Sequence, residues 1–108
     1  MRILFDQGTP VPLRQTLARH QATTVYELGW SELANGDLLR AAEEDGFEVF
    51  VTTDRNLKYQ QKVTGRKIAI LVLPFASWPR LKPHVHSVAE QVENLTAGDY
   101  VEWAVPST

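Results

Sequence analysis

The chain has no cysteine and a single methionine. Without thiols it forms no disulfide, no thiolate metal site and no cysteine nucleophile, which fits a reducing cytoplasm as the expected compartment. Long apolar runs are also missing. The longest, Ile68 to Leu73, sits between Lys67 and Pro74, well short of the ~20 residues that span a bilayer, so no membrane association is expected. The opening residues enter a strand pattern at once and show no signal-peptide pattern. No glycine-rich phosphate loop and no Gly-x-Ser-x-Gly elbow occurs, which removes the usual sequence grounds for nucleotide-kinase or serine-hydrolase chemistry. Internal repeats, low-complexity tracts and linkers are absent as well.

Acids are missing from one long stretch. Residues 1–54 carry nine acids against four bases, whereas Arg55 to His86 contains no acid but holds Arg55, Lys58, Lys62, Arg66, Lys67, Arg80 and Lys82. The net charge of −2 argues against a protein that coats nucleic acid broadly. The segregation still predicts one basic surface, with Arg66 and Lys67 beside the same edge as Arg55.

What is present is an ordinary globular composition, 44% hydrophobic and 22% charged over 108 residues, predicting a single domain over residues 1–108 that buries roughly two-thirds of its unfolded surface. Arg2 to Phe5 reads as a first strand. Thr9 is a candidate cap for a helix from Pro10 to about His20, with Leu13 and Leu17 inward. A short strand at Thr23 to Tyr26 follows. Ser31 or Asn35 is placed to cap a helix that buries Leu38, Leu39, Ala41 and Ala42 and stops at Gly46. Phe47 to Thr52 and Ile68 to Leu73 give two more strands, the latter apolar on both faces, as a strand covered on both sides must be. Leu81, Val85, Val88, Val92 and Leu95 mark one stripe of a last helix from about Pro79, and Tyr100 to Val105 a final strand. Strands alternating with helices predict an α/β fold: three layers, Rossmann-like, around a mainly parallel central sheet.

Two strands end on aspartate: Ile3-Leu4-Phe5-Asp6 and Val49-Phe50-Val51-Thr52-Thr53-Asp54. Ligands of open parallel sheets bind outside the carboxyl ends of the strands, where the strand order reverses, and neighbouring strands lie only ~5 Å apart. Asp6 and Asp54 are therefore candidate ligands of one divalent cation. Asp37, in the first turn of the central helix, and Glu27, after the second strand, can face the same rim. Mg²⁺ takes oxygen ligands and keeps several waters, so two or three carboxylates suffice. An ion so held polarises a phosphate oxygen and acidifies a bound water, which points to phosphodiester hydrolysis. Lys58, Tyr59 and Lys62 follow Asp54 with bases and an aromatic ring interleaved, a pattern that grips phosphates and stacks a splayed base. His84 and His86, two apart, point to different faces of a helix and predict no shared metal. Trp30, Trp78 and Trp103 read as core anchors.

Leu4-Phe5-Asp6-Gln7-Gly8-Thr9-Pro10 resembles the opening motif of the small PIN-like proteins described as predicted nucleases of toxin–antitoxin systems. Asn35-Gly36-Asp37-Leu38-Leu39 followed by Ala41-Ala42 resembles that family's central acidic helix start, and Thr52-Thr53-Asp54-Arg55-Asn56-Leu57 its third motif. The resemblance runs in order through nearly the whole chain. It implies a PIN-like domain, a Mg²⁺ or Mn²⁺ ion held by Asp6, Asp37 and Asp54 with Glu27 as helper, and an RNA substrate gripped by Arg55, Lys58, Tyr59 and Lys62. It further implies a cognate antitoxin protein as partner; a homodimer would join two basic stretches into one groove. Members of the family often carry acids where Asn35 and Asn56 stand, and glutamate where Gln7 stands. Those departures lower the negative charge of the site and leave open a second expectation, a catalytically silent PIN-like module that binds RNA or protein. A phosphorelay receiver would need a second acid at Gln7 and a lysine in place of Pro74-Phe75.

Overall fold

A computed structural model describes residues 1–106. Five strands, β1 (Arg2–Phe5), β2 (Gln21–Thr24), β3 (Val49–Thr52), β4 (Ala69–Val72) and β5 (Tyr100–Glu102), form one sheet in the order β2-β1-β3-β4-β5. Every pairing is parallel. The expected α/β three-layer architecture is present, and the sheet is wholly rather than mainly parallel. Its helices are α1 (Leu13–Thr16), α2 (Asn35–Glu44), α3 (Leu57–Gln60), α4 (Trp78–Leu81) and α5 (Val85–Asn94), with a 3₁₀ turn at Lys82–His84 between the last two.

Alternation along the strands builds two cores. Ile3, Phe5, Val49, Val51, Ala69 and Leu71 point to one face and meet Leu13 and Leu17 beside α1 and Leu81, Val88 and Val92 on α4 and α5. Leu4, Phe50, Ile70 and Val72 point to the other and meet Leu38, Leu39 and Ala42 of α2 and Leu57 of α3. β3 and β4 are buried at every position, because helices cover both their faces. No helix among the described residues is long and apolar enough to cross a membrane.

Several expected boundaries shift for local reasons. Thr9 caps no helix: its hydroxyl donates to the Val51 carbonyl at 3.0 Å, and the chain turns through Pro10-Val11-Pro12 before one helical turn begins at Leu13. Neither Ser31 nor Asn35 caps α2, whose N-cap is Ala34; the Asn35 amide donates instead to Gln60 Oε1 at 3.2 Å. The last helix is broken around Pro83, which has no N–H to give to a preceding turn. Trp103 lies in the core, Trp78 packs against it, and Trp30 meets Phe47 edge-on at 6.2 Å. His84 lies among Phe75 and Trp103.

The acid-free stretch does not form one surface. Arg55 leaves the carboxyl end of β3, whereas Lys67 precedes the amino end of the parallel β4. Arg66 is spent on structure. Its Nε and Nη2 both donate to Glu43 Oε1, at 2.9 and 2.6 Å, its Nη1 donates to the Lys62 carbonyl, and Glu43 Oε2 accepts the Lys67 N–H. Arg80 lies over the Phe75 ring, 4.2 Å from its centroid.

Candidate functional site at the carboxyl edge of the sheet

From β1 the chain steps outward to β2 on one side, then returns to build β3, β4 and β5 on the other. The order therefore reverses between β1 and β3, the place where sheets of this order bind ligands. Asp6 and Asp54 follow these two strands. The ladder continues one step beyond β1, with the Asp6 N–H donating to the Val51 carbonyl at 2.9 Å.

Thr52, fully buried at the end of β3, ties the two aspartates together. Its hydroxyl donates to Asp6 Oδ2 at 2.8 Å and accepts the Asp54 N–H at 3.1 Å. Asp6 Oδ1 accepts the Gln7 N–H at 2.9 Å, and Asp54 Oδ1 accepts the Asn56 N–H at 2.9 Å. Gly8 makes the tight turn possible. Its φ is +89°, and a side chain there would start 3.2 Å from Thr53 Oγ1.

Burial pushes the Asp6 carboxyl above the ordinary aspartate range. The Thr52 and Gln7 hydrogen bonds oppose that push, and the charge of Asp54 adds to it. Asp6 is thus a half-buried carboxylate with a second negative charge nearby, an arrangement that a cation relieves. Perturbed carboxyls in a cleft of this kind mark candidate functional sites.

Two further residues meet here from β5. The Tyr100 hydroxyl donates to Glu102 Oε2 at 2.7 Å, and the same oxygen receives Lys58 Nζ at 2.7 Å. Lys58 holds Glu102 below the usual carboxylate range, with Tyr100 helping, and Glu102 in turn raises Lys58. Burial first, then the bond to Glu102 and the charges of Glu102, Tyr59 and Asp54, push the Tyr100 hydroxyl well above its ordinary value, so it stays a donor. Nothing in the sequence pattern marked Tyr100 or Glu102 for this edge. Their place follows from β5 pairing with β4, which periodicity does not encode.

The other candidates have surroundings of their own. The Glu27 carboxylate is clasped by Arg14 and accepts the Thr24 N–H, while the Glu27 N–H donates to the Thr24 hydroxyl. These contacts, Arg14 foremost, hold it below the usual range. Asp37 is exposed and ion-paired with Arg40 one turn along α2. Arg55 is exposed beside Asp54, and its charge reaches Glu102. Tyr59 is 77% exposed with Lys58 Nζ 5.2 Å from its ring centre. Lys62 lies beyond α3, its carbonyl bound by Arg66.

On the far side of Asp6, between the ends of β1 and β2, lies an open cleft of about 240 Å³. Phe5, Val11, Val25 and Tyr26 line it, the Gln7-Gly8-Thr9 turn forms its rim, and Asp6 stands within it. Tyr26 is 80% exposed. The sequence pattern treats Tyr26 as a strand end and gives no sign of this cleft.

Among the described residues, no group of three or more His, Asp or Glu side chains converges closely enough to hold a metal ion. The Asp6–Asp54 pair still fits the mode in which Mg²⁺ is bound by one or two carboxylates, water and substrate phosphate. Compared with protein-family models, curated proteins and solved structures, the chain gives no significant match.

Proposed function

We propose that the Asp6–Asp54 rim is the active site of a divalent-cation-dependent endoribonuclease that hydrolyses phosphodiester bonds of single-stranded RNA. In this reading the protein is the cytoplasmic toxin of a toxin–antitoxin pair, opposed by an antitoxin protein. A homodimer that aligns two such rims belongs to the same proposal. The observation that carries it is the Thr52 hydroxyl, bound to the Asp6 carboxylate and to the Asp54 N–H at the point of strand reversal. Fold alone assigns no chemistry; the half-buried carboxylate held by Thr52 beside Asp54 is what supports the reading.

Asp6 and Asp54 are the residues that would hold Mg²⁺ or Mn²⁺. Bound there, such an ion supplies Lewis-acid polarisation of a phosphate oxygen and a more acidic water. Thr52 fixes the Asp6 carboxylate in place. Arg55 beside this pair binds the RNA backbone, Lys58 joins it by exchanging its Glu102 partner for phosphate, and exposed Tyr59 offers a face to a base. Tyr100 keeps Glu102 turned toward Lys58, which limits the motion of that lysine.

One observation favours a second reading, a silent PIN-like module that binds RNA or protein. Glu27 and Asp37 are both neutralised by arginine, and Asn35 donates to Gln60 rather than adding charge at the rim. Cleavage of single-stranded RNA in Mg²⁺ separates the readings. The proposed nuclease cuts, and Asp6→Asn combined with Asp54→Asn abolishes cutting. Equal cleavage by the doubly substituted protein would place catalysis elsewhere, and RNA binding without turnover would establish the silent module.

A further inference from the structure

The cleft between β1 and β2 has Asp6 in its wall and extends away from Asp54. Its volume, about 240 Å³, falls below the ~300–1,000 Å³ of pockets for drug-sized ligands and suits one planar ring system. Its walls are mostly apolar, with Asp6 and Thr24 among them: Phe5 and Val25 are buried beneath, while Val11 at 52% and Tyr26 at 80% exposure stand at the mouth. A tyrosine so exposed contributes little to folding. The rim offers the Gln7 carboxamide, which both donates and accepts. Polar edge and apolar face are what a nucleobase presents.

The strand order adds direction. With β1 between β2 and β3, Asp6 has the cleft on one side and Asp54, Arg55 and Lys58 on the other. A nucleic acid strand lying across this edge would meet an apolar slot, then two carboxylates, then Arg55 and the Lys58–Glu102 ion pair. That sequence of surfaces complements a nucleobase, its phosphate and the neighbouring phosphates.

We propose that the cleft is a one-base subsite, in which Tyr26 stacks an unpaired nucleobase of the RNA whose phosphate lies at Asp6 and Asp54. This rests on the nuclease reading for the role of the adjoining phosphate, but the base contact itself does not require turnover. Stacking on an aromatic ring tolerates every base. The subsite therefore selects for unpaired nucleotides, not for a sequence, since a duplex keeps its bases stacked.

The test uses a short single-stranded RNA with one 2-aminopurine moved along its length, titrated with the full chain in Ca²⁺ so that binding is read apart from cutting. At one position the fluorescence is quenched on binding. Tyr26→Ala removes that quench and weakens binding about tenfold, the scale of one base–aromatic stack; Tyr26→Phe preserves both. An abasic site at the same position weakens the native protein by the same factor and leaves Tyr26→Ala indifferent. The matching duplex binds both proteins equally. If native protein and Tyr26→Ala bind every oligonucleotide alike, the base subsite is overturned. Parallel cleavage assays in Mg²⁺ keep the two claims apart. Quenching by a protein that never cuts upholds the subsite and sinks the nuclease; cutting with unaltered KM in Tyr26→Ala does the reverse.

Discussion

Replacing Thr52 by valine keeps the shape of a fully buried side chain and deletes one oxygen. That oxygen has two partners, Asp6 Oδ2 at 2.8 Å and the Asp54 N–H at 3.1 Å. A hydrogen bond to a charged group contributes about 1.5–3 kcal/mol, and a buried donor left without a partner costs about 1–3 kcal/mol. The Asp54 N–H is only partly buried, so water recovers some of its share, and Thr52→Val is expected to cost about 2 kcal/mol in total. For a chain of 108 residues, with an unfolding entropy of about 2.1 cal/mol/K per residue, the Tm falls by about 9 °C. The deficit has a pH signature. The hydroxyl lowers the Asp6 pKa against the larger upward push of burial, so its loss leaves Asp6 higher still. Above that range Asp6 is ionised and feels the whole loss; well below it the carboxyl is protonated and the gap narrows to the share of the unpaired Asp54 N–H. Calorimetry across acid and neutral pH reads this out, with Thr52→Ser, which keeps the hydroxyl, showing a pH dependence like the native protein. A valine variant that melts within about 1 °C of native at neutral pH, or one with a pH-independent deficit, would refute the linkage through Thr52.

Asp6→Asn is expected to raise the Tm at neutral pH, because the folded state raises the Asp6 pKa above its ordinary value and ionised Asp6 therefore opposes folding. The advantage fades as pH falls through the folded pKa, where the native carboxyl gains its proton; melting curves at a series of pH values measure it. Arg66→Ala should cost about 3 kcal/mol, since it strands Glu43, whose side chain is only 14% exposed. Exposed Lys62→Ala should fall within about 0.5 kcal/mol of native, and urea unfolding of the two variants side by side checks the contrast.

β1, β3 and β4 were legible because each is an apolar run, and β3 and β4, buried on both faces, carry the strongest such signal. β2, Gln-Ala-Thr-Thr, has no such run and lies at Gln21–Thr24, two residues before the expected Thr23 to Tyr26. Asp6 and Asp54 were legible for the same reason: a carboxylate that closes an apolar strand must emerge at an edge. α1 misled because Thr9 and Pro10 carry ordinary helix-start chemistry, and only the tertiary contact to Val51 reveals that the Thr9 hydroxyl is already taken. The basic stretch misled because sequence adjacency hides a change of edge. Between Arg55 and Lys67 the chain passes from the carboxyl end of β3 to the amino end of β4. Tyr26, Tyr100 and Glu102 were hidden because their neighbours depend on strand order. Periodicity reports which face a residue takes, and says nothing about which strand lies alongside.

The central claim is that Asp6 and Asp54 together bind one divalent cation. Titration of the full chain with Mn²⁺, followed by paramagnetic broadening of backbone amide signals, addresses it without reference to any substrate. The prediction is one saturable site that broadens Gln7, Thr53 and Asn56 first, disappears in the Asp6→Asn, Asp54→Asn protein and persists in Asp37→Asn. Broadening centred on Asp37 or Glu27, or unchanged by the double substitution, would contradict it.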